Sequence, residues 1–496
     1  MTDYDAVVVG AGNAGLTAAA TLQQGGLRTL LVERHNVPGG AGTSFRRGRF
    51  EFESALHQLS GVGVIGHPGP PFRVLQSLGV ADDLEFVREP DLYRAVVPGS
   101  HDVTIPADWA GAVDVLDDAF PGNRDRLERY FDLVRRVTFW QITAMRGTPP
   151  ADIDPVLFTH GPRTLGDVLD EHFTGAGIKS ALAAYWPYLG VPPSHLAFQD
   201  YALTFSTYID FKAAHVRGGS RAMSSAILDA FLRAGGDVQF STEVTGIRTH
   251  ASGVVAVRFD DGTEVGTGEV VSNASLPDTY GMLDDPPAGV SAELARRRVG
   301  PSAFVVHLGL DATAAELGFT SGTNVVSTTL DDDALARNWN SLEPALGVFA
   351  TCHDVAPDVA PPGFAPPGTC RLSLFTLQYS GLWDRIAPKH YHINKFGHAE
   401  SLLDAIAPIS PNLRDAIEEA DVSTPHTLAR RLGHTGGALY GYRQDPAENR
   451  LFNDRERHTG VRGLHIAGLW AGSGGFEPAL ESGVRVARRV VCSRAA

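Results

Sequence analysis

A glycine-rich turn near the N-terminus constrains the fold of this chain more than any other sequence feature. The turn is Gly10-x-Gly12-x-x-Gly15, and it follows the β-branched run at residues 7–9. Residues 16–22 are rich in alanine and leucine and predict a helix, which a pair of glycines ends; residues 29–33 predict a second buried strand. Residues 5–33 therefore predict one strand–helix–strand unit with parallel strands.

Each glycine of this turn has a physical role. Gly10 makes the tight turn, Gly12 lets the backbone approach a pyrophosphate, and Gly15 permits close packing of helix on strand. The pyrophosphate would lie at the helix N-terminus, beside Ala14, among unpaired N–H groups. Glu33 stands 18 residues after Gly15, where an acid accepts hydrogen bonds from an adenosine ribose. The unit therefore predicts a dinucleotide-binding site.

The same glycine spacing occurs a second time, as Gly61-x-Gly63-x-x-Gly66. In a chain with 54 glycines among 496 residues, chance alone gives this spacing about 0.6 times. The segment that follows, residues 67–71, contains three prolines and is expected not to open a helix. The second match is therefore predicted to be a loop.

Composition excludes several classes of protein. Hydrophobic residues make up 43% of the chain, charged residues make up 20%, and the net charge is −15. These values exclude extensive disorder and disfavour nucleic acid as a partner. No apolar run is long enough to predict a transmembrane helix. The acidic start and the three cysteines predict a cytoplasmic protein, and no metal-ligand spacing appears among the 18 histidines, so no metal is expected.

The remainder of the chain alternates between helical and extended patterns. Residues 76–200 are predicted to be mostly helical and rich in aromatic side chains. Residues 236–273, 300–310 and 371–379 predict strands, and residues 463–491 predict a strand, a glycine-rich turn and a helix.

Three further segments resemble one superfamily. They are the glycine-rich residues 39–45, the middle segment at 217–223, and residues 463–483. Together with the first turn they resemble the FAD-binding amine-oxidase and phytoene-desaturase superfamily. The resemblance implies that the Gly39-Gly40 pair lies against phosphates and flavin, that the backbone at Val244 meets the adenine, and that the last helix points its N-terminus at the flavin.

The resemblance implies non-covalent FAD, since no cysteine for covalent attachment has a counterpart in the C-terminal loop. The residues that it implies for FAD binding are Gly10, Gly12, Ala14, Gly15, Glu33, Arg34, Gly40, Thr43, Val244, Gly468, Gly475 and Phe476. No second dinucleotide site is evident, so NAD(P)H is expected only as a transient reductant at the flavin face.

The predicted fold class is α/β, with two interleaved domains. A discontinuous Rossmann-like FAD-binding domain is predicted at residues 1–75, 200–275 and 430–496. An α+β substrate domain with an antiparallel sheet and a helical insert is predicted at residues 76–199 and 276–429.

Residues 50–57, Phe-Glu-Phe-Glu-Ser-Ala-Leu-His, resemble a segment of retinol saturases, carotenoid isomerases and bacterial phytoene desaturases. The resemblance implies a small-molecule substrate that is long, apolar and unsaturated (a polyene or isoprenoid-like molecule), whose carbon–carbon bonds undergo desaturation, saturation or isomerisation. Ala41 and Ala55 depart from the pattern of these relatives near the flavin. Contact with a membrane is expected to be peripheral at most, and the oligomeric state is left open.

Several aromatic and ionisable residues are candidates for the site. His57 is a proton donor or a structural histidine, and Glu477 is a flavin-side acid or a helix N-terminal acid favoured by the helix dipole. Tyr440 and Tyr442 line a substrate tunnel or pack in the core. For substrate contact, Trp470 and Trp186 are further candidates, with core packing as the alternative for Trp186.

Two other functions are open to the same fold. Flavin amine oxidases often use a lysine near the flavin, and this chain has only Lys179, Lys212, Lys389 and Lys395. Lys212 is the candidate for that role. Rab GDP-dissociation inhibitors use the fold without redox chemistry to bind proteins and prenyl chains, and a colourless purified protein would favour that function.

Overall fold

The computed structural model describes residues 3–64, 66–251, 253–355, 363–444, 459–471 and 474–495. Its strands are β1 (Ala6–Val9), β2 (Thr29–Val32), β3 (Ser44–Arg47), β4 (Phe50–Glu53), β5 (Gly63–Val64), β6 (His67–Pro68), β7 (Phe86–Arg88), β8 (Asp91–Val97), β9 (His101–Pro106), β10 (Ala214–Val216), β11 (Asp237–Gln239), β12 (Val244–His250), β13 (Gly253–Phe259), β14 (Glu264–Gly266), β15 (Val270–Ser272), β16 (Ser302–Leu310), β17 (Thr323–Ser327), β18 (Gly347–Thr351), β19 (Cys370–Gln378), β20 (Ile417–Ser423) and β21 (Leu464–Ile466).

The helices lie between these strands. They are α1 (Asn13–Gln24), α2 (Pro70–Ser77), α3 (Trp109–Ala119), α4 (Arg124–Met145), α5 (Pro155–His160), α6 (Leu165–His172), α7 (Ala176–Ala183), α8 (Phe198–Phe211), α9 (Gly219–Arg233), α10 (Leu276–Gly281), α11 (Val290–Arg296), α12 (Asp332–Asn338), α13 (Ser380–Trp383), α14 (Pro388–Ile406), α15 (Pro425–Leu432) and α16 (Phe476–Ala495).

A five-stranded parallel sheet organises one part of the molecule, with strand order β11-β2-β1-β15-β21. All four residues of β1 and of β2 are buried, because both faces of the sheet are covered. Ala6 and Val8 face the core that includes α1, α9 and α16, while Val7 and Val9 face the sheet of β12 and β13. Its strands come from the start, the middle and the end of the chain.

A seven-stranded sheet organises the other part, with strand order β20-β16-β19-β18-β17-β8-β9. Every pairing in it is antiparallel except that of β17 with β8. All nine residues of β16, which lies between β20 and β19, are buried. Helix α14 packs against the face formed by Phe304, Leu372 and Leu374 through Leu402 and Ile406.

Helices α3 to α8 form the predicted helical insert, and aromatic rings fill its core. Phe131 of α4 stacks on Phe205 of α8 with ring centroids 5.9 Å apart, and Trp109 meets Phe131 edge-on at 5.3 Å. The insert packs onto the seven-stranded sheet within one hydrophobic cluster that includes Phe349 and Phe375. This contact forms the boundary of a large internal space.

Two local predictions are wrong. Residues 76–106 are not mainly helical, because β7, β8 and β9 lie there and the last two join the seven-stranded sheet. β8 contains Tyr93, Val96 and Val97, residue types that favour strands, and this explains the difference. Residues 67–71 do open a helix: α2 begins at Pro70, because proline lacks only an N–H group that the first turn leaves unpaired. No helix within the described ranges is long and apolar enough to cross a bilayer.

The two ends of the chain meet where α16 packs across α1. The Thr17 hydroxyl donates to the carbonyl oxygen of Leu480 at 3.0 Å. A Cβ at Gly483 would lie 2.1 Å from the Ala14 carbonyl oxygen, so only glycine allows this separation of the helices. The last helix is therefore fixed against the first glycine turn.

Because α16 packs closely on α1, one methyl group added at Gly483 is expected to lower the stability of the folded protein. Gly483→Ala overpacks the contact and is expected to destabilise the protein by about 1–3 kcal/mol. Gly397→Ala in α14 is the matched control, because nothing lies within 4 Å of its Cβ, and it is expected to stabilise by about 0.5–1 kcal/mol. Thermal unfolding followed by circular dichroism checks both. Equal effects of the two substitutions would contradict the packing argument.

Candidate active site

The carboxyl ends of the parallel strands border a cavity of about 2010 Å³. The glycine turn follows β1, Glu33 follows β2, Asn273 follows β15 and Gly468 follows β21, and all contribute to its lining. Ligands of open α/β sheets bind at this edge. Sites for one ligand usually measure about 300–1,000 Å³, so this cavity has room for a dinucleotide and a second molecule.

The glycine turn adopts a conformation that only glycine permits. Gly10 has φ +92°, and a Cβ at Gly15 would lie 1.9 Å from the Gly10 carbonyl oxygen. A Cβ at Gly12 would lie 2.7 Å from the Asn273 side-chain nitrogen. Gly10, Gly12 and Ala14 line the cavity, whereas Gly15 lies behind it as a packing residue. The bare backbone N–H groups at the start of α1 therefore face the space where a pyrophosphate would lie.

Glu33 is buried at the edge of the cavity, with 7% of its surface exposed. One carboxylate oxygen accepts from the Ala11 N–H at 2.6 Å, and the other accepts from the His35 N–H at 2.8 Å. A carboxylate can accept about four hydrogen bonds. The two backbone bonds thus orient Glu33 and leave capacity for the hydroxyls of a ribose.

Arg34 lines the same end but its guanidinium is engaged by the protein. It donates to the carbonyl oxygens of Arg430 and Arg431 at 3.0 and 3.2 Å, at the C-terminal end of α15. A positive charge at this end of a helix is favourable. Arg34 therefore joins α15 to the loop beside Glu33.

The second glycine-rich segment runs along the cavity wall. Gly40 lines the cavity with φ +58°, and its Cβ would lie 3.2 Å from the Gly12 Cα. Val244 also lines the cavity. Thr43 does not: it is buried behind the wall, where its carbonyl accepts from the Ser54 N–H at 2.9 Å. Gly12 and Gly40 therefore bring their two backbone segments into contact at one wall of the cavity.

The C-terminal glycine loop forms the opposite side. Gly468 has φ +87°, and a Cβ there would lie 2.3 Å from the Asn273 side-chain oxygen. Gly475 has φ +117° and precedes Phe476, the first residue of α16. All three line the cavity. Gly472 and Ser473 of the predicted loop lie outside the described residues.

Glu477 lies in the first turn of α16 and faces the cavity. Burial raises its pKa to about 7, with the nearby Glu481 adding to the shift and the hydrogen bond from Ser60 opposing it. The Ser60 hydroxyl donates to the carboxylate at 2.6 Å. Glu477 is thus a group that gains and loses a proton near neutral pH. Ser60 was missed by the sequence analysis, because no local pattern marks it.

Aromatic side chains form the wall next to Glu477. His57 stacks on Phe375 with ring centroids 4.1 Å apart, and Tyr188, Tyr208 and Tyr440 line the cavity beside them. Burial lowers the pKa of His57 to about 3, with His307 adding to the shift. His57 is therefore a neutral imidazole at physiological pH. Burial also raises the pKa of Tyr208 and Tyr440, so both stay protonated.

Three of the aromatic residues predicted for the site, Tyr442, Trp470 and Trp186, do not line the cavity. Tyr442 packs edge-on against Trp470 at 5.1 Å, with the Arg297 guanidinium 3.7 Å from the Tyr442 ring centroid. Trp186 stacks near Trp339 in the core and donates its indole N–H to Asp332 at 2.9 Å. These rings therefore pack against neighbouring side chains and do not face the cavity.

No lysine is among the lining residues within the described ranges. Lys212, the candidate from the sequence, donates its ammonium group to the carbonyl oxygens of Ala107 and Ile209. The lysine that flavin amine oxidases often use near the flavin therefore has no counterpart among the described lining residues.

The end of the cavity away from Glu33 is lined by the helical insert. The lining side chains there include Ile142, Leu157, Leu203 and Phe211. Met145 and Phe158 also line it and are 60% and 45% exposed, so the cavity reaches the surface beside them. Most lining residues of this lobe are apolar, with Gln141, Arg146 and Asp200 among its polar ones, whereas the other end carries glycines and Glu33.

The family model for flavin containing amine oxidoreductases matches residues 13–491. The chain therefore belongs to this family, and the prediction of a flavin-dependent oxidoreductase is confirmed.

Curated relatives cover nearly the whole chain. Prolycopene isomerase 2 of an Oncidium hybrid cultivar is 23% identical over 98% of this chain and 84% of its own length. All-trans-retinol 13,14-reductase of Danio rerio is 24% identical over 94% and 82%. Phytoene dehydrogenase of Streptomyces griseus is 25% identical over 99% and 96%. The predicted resemblance to this group is confirmed.

Solved structures confirm the α/β fold class. An oxidoreductase from Methanosarcina mazei matches with a TM-score of 0.67 at 16% identity, over 98% of this chain and 99% of its own. Cyclohexylamine oxidase from Brevibacterium oxydans matches with a TM-score of 0.64 at 17% identity over both whole chains. The residue bounds of the two domains and the roles of individual site residues stay predictions.

Glu33→Gln is expected to weaken flavin binding. The substitution removes the negative charge that accepts from the ribose, and a charged hydrogen bond contributes about 1.5–3 kcal/mol. The dissociation constant of the flavin should rise about 10- to 150-fold. Fluorescence titration of the flavin-depleted protein measures this constant. The exposed Glu343→Gln is the control, and an unchanged constant in Glu33→Gln would contradict the assignment.

Glu477→Gln is expected to change how stability depends on pH. The folded protein holds a proton on Glu477 up to about pH 7, whereas an ordinary carboxyl loses it near pH 4.5. Native stability should therefore fall by about 3 kcal/mol as pH rises through this window, and the variant should lack this part of the loss. Unfolding midpoints of native protein, Glu477→Gln and Glu343→Gln from pH 5 to 8 test this. A native-to-variant difference that does not change with pH would refute it.

Proposed function

We propose that this protein binds FAD non-covalently and acts on a carbon–carbon double bond of a long, apolar, unsaturated molecule. The observation that carries the proposal is the division of one cavity into two chemically different ends. Glycine turns and Glu33 form one end, and mostly apolar side chains of the insert form the other. A polyene gains about 0.8 kcal/mol for each methylene that it buries in such a lobe.

The residues fit FAD at the glycine-lined end. The positions at which a Cβ would collide with backbone or with Asn273 are those where a pyrophosphate needs bare backbone. Gly10, Gly12 and Ala14 would hold the pyrophosphate, Glu33 the ribose, and Phe476 and Glu477 would lie beside the ring system. Bound FAD supplies the acceptance or donation of a hydride at its flavin ring.

The side chains beside that position set what the protein can add to the reaction. Glu477 holds its proton on a carboxylate oxygen close to neutral pH, so it is the best-placed group to donate or accept a proton. Neutral His57 cannot act as a cationic acid there, but it offers a flat face together with Phe375. The tyrosines supply O–H donors that remain protonated. Burial of this region excludes water from the reacting carbon.

The names of the relatives support a polyene or a related isoprenoid as the substrate. The relatives are an isomerase, a reductase and a dehydrogenase. The fold does not select among these reactions, so the experiment described next identifies the reaction type. NAD(P)H is proposed only as a transient reductant, since the second glycine pattern lies in the β5–β6 hairpin and not in a strand–turn–helix unit. Amine oxidation is the weaker candidate, because no lysine lines the cavity in the part of the chain described.

The reaction is identified by mixing oxidised and dithionite-reduced protein anaerobically with a panel of polyenes and a panel of amines. Bleaching of oxidised flavin by polyenes means desaturation, and reoxidation of reduced flavin by them means saturation. Isomers without a net flavin change mean isomerisation. We expect one of these three outcomes. Bleaching by amines alone would contradict the proposal.

A variant that fills the apolar lobe separates substrate binding from cofactor binding. Leu203→Trp is expected to retain its yellow flavin while losing turnover of long polyenes, because the added ring occupies the substrate lobe. Leu330→Trp, at an exposed position, is the control of equal size. Full turnover in Leu203→Trp would show that the substrate does not enter this lobe.

A further inference from the structure

Three buried ionisable side chains meet behind the cavity wall. Glu89, His215 and His353 are exposed to only 4%, 2% and 6%, and none of them lines the cavity. One ligand-type atom from each lies within 4.8 Å of the others. A carboxylate and two imidazoles so far from water require an explanation, since buried polar groups are normally hydrogen-bonded or bound to metal.

The distances within this cluster do not fit hydrogen bonds. Nδ1 of His215 and Nδ1 of His353 lie 3.7 and 3.8 Å from the same oxygen of Glu89. Hydrogen bonds between nitrogen and oxygen end near 3.2 Å. Ligand atoms about 2.1 Å from one ion, at angles of about 110–120°, lie about 3.4–3.6 Å apart. The spacing is therefore close to that of three ligands around an ion.

Two of the atoms that point into the cluster form no hydrogen bond with the described residues. Oε1 of Glu89 and Nδ1 of His353 have no hydrogen-bond partner within the described part of the chain. The other carboxylate oxygen of Glu89 accepts from the Gln58 side chain at 2.8 Å. The atom that points into the cluster is thus the one left for a ligand.

Rigid backbone presents all three side chains. Glu89 directly follows β7, and His215 lies in β10, which pairs with β7 in antiparallel register. His353 starts the short 3₁₀ helix after β18. The neighbouring Asp354 is fixed by a buried ion pair with Arg371 at 3.0 Å. This ion pair fixes the backbone next to His353.

We propose that Glu89, His215 and His353 form a binding site for a divalent transition metal ion of the zinc class. Two imidazole nitrogens and one carboxylate oxygen suit zinc and its neighbours better than magnesium or calcium, which prefer oxygen ligands alone. This proposal departs from the expectation, drawn from histidine spacing, that the chain holds no metal. The three ligands come from positions too far apart in sequence to form a recognisable motif.

A bound ion would connect two parts of the fold. Glu89 and His215 belong to the small β7–β10 sheet, and His353 follows a strand of the seven-stranded sheet. Gln58, which lines the cavity, donates to Glu89 and accepts from the Tyr185 hydroxyl at 2.8 Å. The ion would thus hold the side of the cavity wall that includes Gln58. The site is separate from the FAD position, so its test is independent of the proposed function.

The test measures metal content and the spectrum of a metal probe. The flavin-loaded protein is treated with chelator, dialysed, and exposed to Zn²⁺ or Co²⁺ alone. We expect about one tightly held ion per chain and visible cobalt absorption bands of a low-coordinate nitrogen–oxygen site. Less than about a tenth of an ion per chain, or cobalt with only a hydrated-ion spectrum, would overturn the proposal.

Substitutions locate the ion. Glu89→Gln and His353→Gln are each expected to lower affinity at least about tenfold, while the exposed His392→Gln leaves it unchanged. Retained flavin absorbance shows that each variant is folded. Full zinc binding in both cluster variants would place the metal elsewhere and overturn the assignment. If a variant does not fold, the cobalt spectrum of the unaltered protein still tests whether the metal site exists.

Discussion

The contact between Gly15 and the carbonyl group of Gly10 is the constraint on which the rest of the structure depends. The contact leaves no space for a side chain, and the same turn touches Asn273, which in turn limits Gly12 and Gly468. These residues follow three neighbouring strands of the parallel sheet. The first glycine turn therefore forms completely only when the start, middle and end of the chain have come together. The fit of Gly483 against α1 extends this requirement to the last helix.

The same convergence creates the electrostatics of the site. Because α16 is held against α1, its first turn lies half-buried at the cavity, and Glu477 loses much of its contact with water. Its pKa near 7 follows from this burial more than from any charged neighbour. The insert closes the space on the other side with mostly apolar side chains, so the proposed cofactor and the proposed apolar substrate would each have a matching end. In this proposal the cofactor is held mainly by backbone and the substrate mainly by side chains.

Sequence patterns predicted the parts that local physics determines. The first strand–turn–helix–strand unit, the strands at 302–310 and 370–378, and the final strand and helix were all predicted from periodicity and glycine placement. Besides the two local errors at residues 67–71 and 76–106, the questions that the sequence left open concern tertiary partners. Whether Tyr442, Trp470 and Trp186 face the cavity depends on Arg297, Trp339 and Asp332, which lie far away in sequence. The same limit hid Ser60 beside Glu477 and the cluster of Glu89, His215 and His353.

The most direct test of the central claim is a crystal structure of the flavin-loaded protein with a conjugated polyene bound under anaerobic conditions. We expect a dinucleotide with its pyrophosphate at the N-terminus of α1 and its flavin ring beside Glu477. We also expect the polyene along the lobe that contains Leu203 and Phe211, with one double bond against the flavin. A flavin outside this cavity, or a polyene bound away from the flavin ring, would contradict the account.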